Sequence, residues 1–196
     1  MTSVTFDMNC IVDLEEARAA ARHLRAIIQM RHHQIQLRLV GISASERMRG
    51  GRYATNFAEF QEKVAAVGLR EAEILKPICR LGMTFYDWCI LPNEQMEDLE
   101  RRIHQVLFPD IEFEYVDYCR ARGIDPNSGP MDSRWRNPRC DVLALWSHIH
   151  YGDGIFITSD ENFHKGTKKP ALIALGAGDI LSPADASARL TGDGHP

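Results

Sequence analysis

The 196-residue sequence has no apolar run long enough to span a bilayer, and its first residues show neither the basic nor the apolar stretch of a secretory leader. The expectation is a cytoplasmic protein working away from membranes, in a reducing compartment. Cysteine is sparse: Cys10, Cys79, Cys89, Cys119 and Cys140 are odd in number and match no disulfide framework. An excess of one charge sign is also missing. With 26% charged residues and a net charge of −4, the chain is neither a disordered polyelectrolyte nor a protein that coats nucleic acid through bulk charge. A local basic surface remains open to it. No internal repeat and no low-complexity segment occurs. What is present, 44% hydrophobic residues over a length suited to one domain, is enough for a substantial core.

The apolar residues predict alternating strands and helices. "VTF" (4–6) reads as a buried strand, "IQLRLVGIS" (35–43) as a second β-rich run, and "GIFITS" (154–159) and "PALIALG" (170–176) as apolar strands. Asp13 with Glu16 predicts a helix cap, and Leu14, Ala17, Ala20, Leu24, Ile27 and Ile28 follow at helical spacing. "ASERMRG" (44–50) reads as a first helical turn ended by Gly50 and Gly51. Further helices are predicted over 56–67, 92–107 and 141–151, and in "SPADASARL" with Ser182 as cap and Pro183 at its first turn. Residues 108–140 show no clean period. Continuously apolar strands between helices imply a mostly parallel sheet covered on both faces, a three-layer α/β/α fold.

In such sheets the ligand crevice lies beyond the carboxyl ends of the strands. Asp7 and Asp160 directly follow strands, Glu46 stands at the start of a helix after the second strand, and Asp141 opens the helix before "GIFITS". Four carboxylates converging on one mouth repel one another unless a cation neutralises them. Magnesium or manganese suits an all-oxygen donor set and commonly serves phosphate chemistry, which points to hydrolysis of a phosphodiester.

"TFDMNCIVD", the glutamate of "VGISASERM", and "CDVLALWSHIHYGDGIFITSDENFHK" together resemble the PIN-domain nucleases, the family of many bacterial toxin ribonucleases. The matching features are Asp7 with Asn9, Glu46, Asp141, and Thr158 with Asp160, in that order, trailed by Phe163. "KKPALIALGAGDILSPADA" is similar to the family's last strand and final helix. The resemblance implies a divalent-metal-dependent endonuclease acting on RNA, with Asp7, Glu46, Asp141 and Asp160 as metal ligands and Asn9, Thr158 and Asn162 orienting them or the substrate. It implies RNA, single-stranded or structured, as a partner, and suggests an antitoxin protein and a second copy of the chain as others. The matching parts give a single PIN-like domain with core 1–80 and 140–196 and a long helical or irregular insertion over about 81–139, which compact toxins of the family do not carry.

The insertion ends in "SRWRNPR" (133–139), where Arg134, Arg136 and Arg139 around Trp135 could grip phosphates and stack on an unpaired base; the plainer reading is a solvated loop. Lys165, Lys168 and Lys169 could hold the scissile strand, or be merely solvated. Asp7 could equally form an Asx-turn, and Cys10 and Cys140 fit small buried thiols. Two rival functions stand beside the nuclease. One is a phosphatase of the haloacid dehalogenase kind, casting Asp7, Thr158 or Ser159, Lys165 and Asp179. It normally needs an acid two residues after the nucleophile, where this chain has Asn9. The other is a non-catalytic PIN-like module that binds RNA or protein.

Overall fold

The computed structural model describes residues 2–30, 35–45, 56–152 and 154–192. Among them, β1 (Thr2–Phe6), β2 (Ile35–Val40), β3 (Glu73–Leu75), β4 (Ile155–Ile157) and β5 (Asp179–Leu181) form one all-parallel sheet in the order β3-β2-β1-β4-β5. The chain winds outward from β1 in one direction through β2 and β3, then returns to its other side for β4 and β5. The strand order therefore reverses between β1 and β4, and an α/β sheet opens a crevice at such a point. In register, Phe6 lies between Leu39 and Ile157, so Asp7 emerges at the carboxyl ends of three strands at once.

Helices cover both faces, as an α/β/α sandwich requires. Val4, Phe6, Leu37, Leu39, Ile155 and Ile157 point to one side. There they pack on α1 (Met8–Glu15), α2 (Ala21–Gln29), α3 (Phe57–Ala66) and α9 (Pro183–Thr191). Val40, Phe156 and Ile180 point to the other. That side holds α4 (Glu94–Leu107), α5 (Tyr115–Arg122), α6 (Ser133–His150), α7 (Glu161–His164) and α8 (Lys169–Leu172). The stretch 81–139 is thus folded into the second core: Ile103 and Leu107 of α4 and Tyr118 of α5 share one apolar cluster with the sheet. No helix among the described residues is long and apolar enough to cross a membrane.

Several elements differ from the sequence expectation. The first helix is capped by Asp7, with Asp13 in its interior, and it breaks after Glu15 because Ala17 takes a left-handed φ of 51°. "PALIALG" is helical: Pro170 occupies the first turn of α8, a π turn over Ile173–Ala177 continues it, and the last strand is "DIL" (179–181) instead. Gly178, at φ 62°, makes that change of direction possible, since a Cβ there would lie 2.2 Å from the Gly154 carbonyl oxygen. The helix expected to open at Asp141 begins at Ser133, capped by Asp132, and carries Pro138 within it. "SRWRNPR" is accordingly helical, not a solvated loop. The expected turn "ASERMRG" falls largely outside the described residues.

Candidate active site

β1 runs into α1 with no loop between them, and Asp7 is the junction. One oxygen of its carboxylate accepts the Met8 amide at 2.7 Å, the bond of a helix N-cap. This explains why an acid and not a glycine ends the strand. The other oxygen has a second role. It accepts the Thr158 hydroxyl at 2.8 Å and the Asn9 side-chain amide at 2.8 Å, so the end of β4 is tied to the end of β1. Thr158 is the hub of this contact, because its hydroxyl also accepts the Asn9 amide at 2.8 Å and the Asp160 backbone N–H at 3.1 Å.

Asp7 is buried, and every group it bonds is electrically neutral. Burial pushes its carboxyl up to about 6, and the nearby Asp160 charge adds to the rise while the bonds from Thr158, Met8 and Asn9 oppose it. Asp160 caps α7, taking the Asn162 backbone N–H at 2.8 Å. Asp7, Asp141 and Asp160 all line one open cleft of about 450 Å³, with Asn9 and Asp13 of α1 and Arg18 beyond it. Asp141 reaches this cleft from the middle of α6. Glu46, the fourth expected ligand, lies outside the described residues.

The remaining expected residues divide. Asn9 sits in the network just described, whereas Asn162 contributes through its backbone: its side chain accepts Lys168 Nζ at 2.7 Å and donates toward the Leu107 carbonyl at 3.4 Å. Lys168 also donates to that carbonyl, at 2.5 Å, and Lys169 pairs with Asp179 at 3.5 Å. Lys165 is exposed, as is Arg134, while Arg136 donates to the Gly82 carbonyl at 2.8 Å. Trp135 and Arg139 do not offer a stacking surface. Trp135 is buried and donates to the Glu112 carbonyl at 2.9 Å, and the buried Arg139 guanidinium lies over the Phe113 ring and pairs with Glu100 at 2.8 Å. A base could reach neither without opening the core. Cys10 and Cys140 are both buried, and burial pushes the Cys10 thiol well up, as expected for an inert small side chain.

Asp13, expected only as a helix cap, and Ser159, expected only for the rival phosphatase, both belong to this network. Ser159 Oγ donates to Asp13 at 2.8 Å and its backbone N–H donates to Asn9 at 3.0 Å. The signal was available: Asn9 and Asp13 are four apart on one helix and so share a face.

A larger cleft, about 710 Å³, opens at the opposite, amino ends of the strands beside Thr2, Ile35 and Gly154. Its acid, Asp179, is already neutralised by Lys169 and Arg189, so the smaller cleft is the better candidate for chemistry. The same placement removes Asp179 from any role beside Asp7. It pairs with Ile155, the first residue of β4, a whole strand away from the Asp7 end.

A divalent cation fits the donors in kind. The carboxylates lining the cleft are hard oxygen ligands, and a cation would offset both the burial of Asp7 and its repulsion by Asp160. Among the described residues no three His, Cys, Asp or Glu side chains are close enough to enclose an ion unaided. Holding by one or two carboxylates with water completing the shell is the habit of magnesium. Comparison with known protein families, curated proteins and solved structures found no match to this chain.

Proposed function

We propose that this protein is a metal-dependent endonuclease of PIN-like type that hydrolyses phosphodiester bonds in RNA. The observation that carries the reading is a buried carboxylate, Asp7, at the strand-order reversal, bonded among the described residues by neutral donors and sharing its cleft with Asp141 and Asp160. Carboxylates gathered in this way repel one another and favour a cation between them. Magnesium or manganese, held by one or two of the carboxylates of Asp7, Asp141 and Asp160 with water completing the shell and Glu46 as a further ligand, would supply Lewis-acid stabilisation of the phosphate's developing charge and lower the pKa of water.

The chain's own residues do the positioning. Thr158 and Asn9 fix the Asp7 carboxylate by donating to the oxygen that does not cap the helix, so Asp7 presents one geometry to the cleft. The Asp160 carboxylate is fixed in the same way by the Asn162 backbone N–H. The scissile phosphate would lie between the acids of β1 and β4 and Asp141 of α6, and the expected products carry a 5′-phosphate and a 3′-hydroxyl. A toxin role, with an antitoxin partner, belongs to the same proposal, and growth arrest on overproducing the protein alone is its test.

The deciding experiment is cleavage of a mixed pool of RNA and single-stranded DNA, in manganese and in chelator, by wild type, Asp7→Asn and Asp160→Asn. Metal-dependent cleavage that drops by about a hundredfold or more in both variants is expected. Full activity in a correctly folded Asp7→Asn protein would sink the reading. RNA binding that is equal in manganese and in chelator, with no cleavage, would favour the binding module.

A further inference from the structure

The acids explain how a phosphate could be activated; they do not explain how a polyanion would be held in a cleft lined by Asp7, Asp13, Asp141 and Asp160. Among the described residues, Arg18 is the one cation lining that cleft. Its position is locally specified. Ala17, in the left-handed region at φ 51°, turns the chain back, and the Arg18 backbone N–H donates to the Asp13 carbonyl at 3.0 Å. Residues without glycine's freedom occupy that region at a cost, and such strain clusters at functional positions.

The guanidinium grips an anion already. Its Nε donates to Glu16 Oε2 at 2.8 Å and Nη2 lies 2.7 Å from the same oxygen, while Nη1 reaches toward Asp13 at 3.5 Å. Glu16 therefore occupies the place on the fork where a phosphate oxygen would sit. Both partners are solvent-facing, with side-chain exposures of 53% for Arg18 and 36% for Glu16, and an exposed pair of this kind is weak enough to be exchanged. Arg18 is also linked to the interior of the site. Asp13 accepts from Ser159 on its other oxygen, and Ser159 donates to Asn9, which donates to Asp7.

We propose that Arg18 is the phosphate-binding residue of this cleft, contacting the RNA backbone one or more nucleotides from the scissile bond, and that Glu16 holds the guanidinium in place until the phosphate replaces it. The inference rests on the nuclease reading and adds to it the residue that binds the polyanion and the residue that competes with it.

The test is the binding of a fluorescently labelled single-stranded RNA by fluorescence polarisation in calcium, across 50–200 mM salt. Arg18→Ala should weaken binding about three- to tenfold and flatten the plot of log affinity against log salt by about 0.7, the loss of one phosphate contact. Glu16→Gln removes the competitor and should tighten binding about two- to threefold. Arg18→Lys keeps the charge without the fork, so it should retain the salt slope while losing affinity. Both positions are at the surface, and unchanged thermal melts would show that the variants fold. If wild type binds and both Arg18→Ala and Glu16→Gln match it in affinity and slope, the inference fails and the nuclease reading survives. If wild type does not bind RNA at any salt concentration, both fall together.

Discussion

Asp7 and Glu100 are both buried acids, yet their partners differ in kind. Glu100, fully buried on α4, is enclosed by two guanidiniums: Arg80 contacts both of its oxygens and Arg139 lies 2.8 Å away. Its charge is balanced inside the protein. Among the described residues, Asp7 bonds a hydroxyl, a carboxamide and a backbone N–H, and another acid lies nearby. The first carboxylate is matched by two guanidiniums, and the second bonds no cation among the described residues. Burial without a counter-charge separates a candidate reactive group from a structural one in this molecule, where burial alone would not.

Breaking the Glu100 cluster should have the largest effect on stability. Glu100→Ala leaves Arg139 buried without its carboxylate partner, and its Nε and Nη1 already have no hydrogen-bond partner among the described residues. A loss of about 3–5 kcal/mol is expected in urea denaturation. A loss below about 1 kcal/mol, the range of an exposed pair, would mean that the cluster is not a closed ionic unit.

Asp7→Asn should do the opposite to stability. The Asp7 carboxyl rises from an ordinary 3.8 to about 6 in the folded protein. Below 3.8 both folded and unfolded chains hold the proton and the group contributes nothing. As the pH rises toward 6 the unfolded chain ionises first, so folding becomes progressively less favourable, and above 6 the penalty is constant at about 3 kcal/mol. Removing the charge should therefore raise stability at pH 7–8 in chelator, by less than that penalty because the introduced amide can accept on only one of the two sides where Met8, Thr158 and Asn9 donate, and should flatten the pH dependence between 4 and 6. A destabilised variant at pH 8 would place Asp7 with Glu100 as a structural acid.

A cation should erase that penalty in wild type. Manganese at a hundred times its dissociation constant is expected to add about 2.7 kcal/mol to the wild-type protein and much less to Asp7→Asn, read as the shift in thermal midpoint. Equal shifts in the two proteins would locate the metal elsewhere.

The contrast between these acids was only half legible in the sequence. Asp7, Thr158 and Asp160 could be placed because β1 ends in the buried run Val4–Phe6 and β4 is buried throughout, and the ends of parallel strands define the crevice. Glu100 and Arg139 could not be paired, since nothing local in "SRWRNPR" says whether a guanidinium points to solvent or into a core built by α4 and α5. Strands β3 and β5 are three residues each, too short to show a period. "PALIALG" misled because a short apolar run serves a buried helix as well as a strand, and its Gly176, with Gly178 just beyond, marks a helix end only once β4 is known to lie alongside. The break at Ala17 is hidden because alanine keeps the helical spacing intact on paper.

That break supplies the smallest and most local prediction. Ala17→Gly removes the Cβ that makes φ 51° unfavourable, a relief of about 1–2 kcal/mol, while glycine's freer unfolded chain takes back about 0.5–1 kcal/mol. The net gain expected in urea denaturation is about 0.5–1 kcal/mol, with the α1–α2 turn unchanged. If that turn serves only to connect two helices, the gain should come with no other consequence. If it holds Arg18 at the rim of the acidic cleft, loosening it should also weaken RNA binding slightly, by less than Arg18→Ala does and with the salt slope intact, because the charge is still present but less firmly placed. Stability and affinity moving in opposite directions on one methyl group would show that the strain is retained for the cleft and not for the fold.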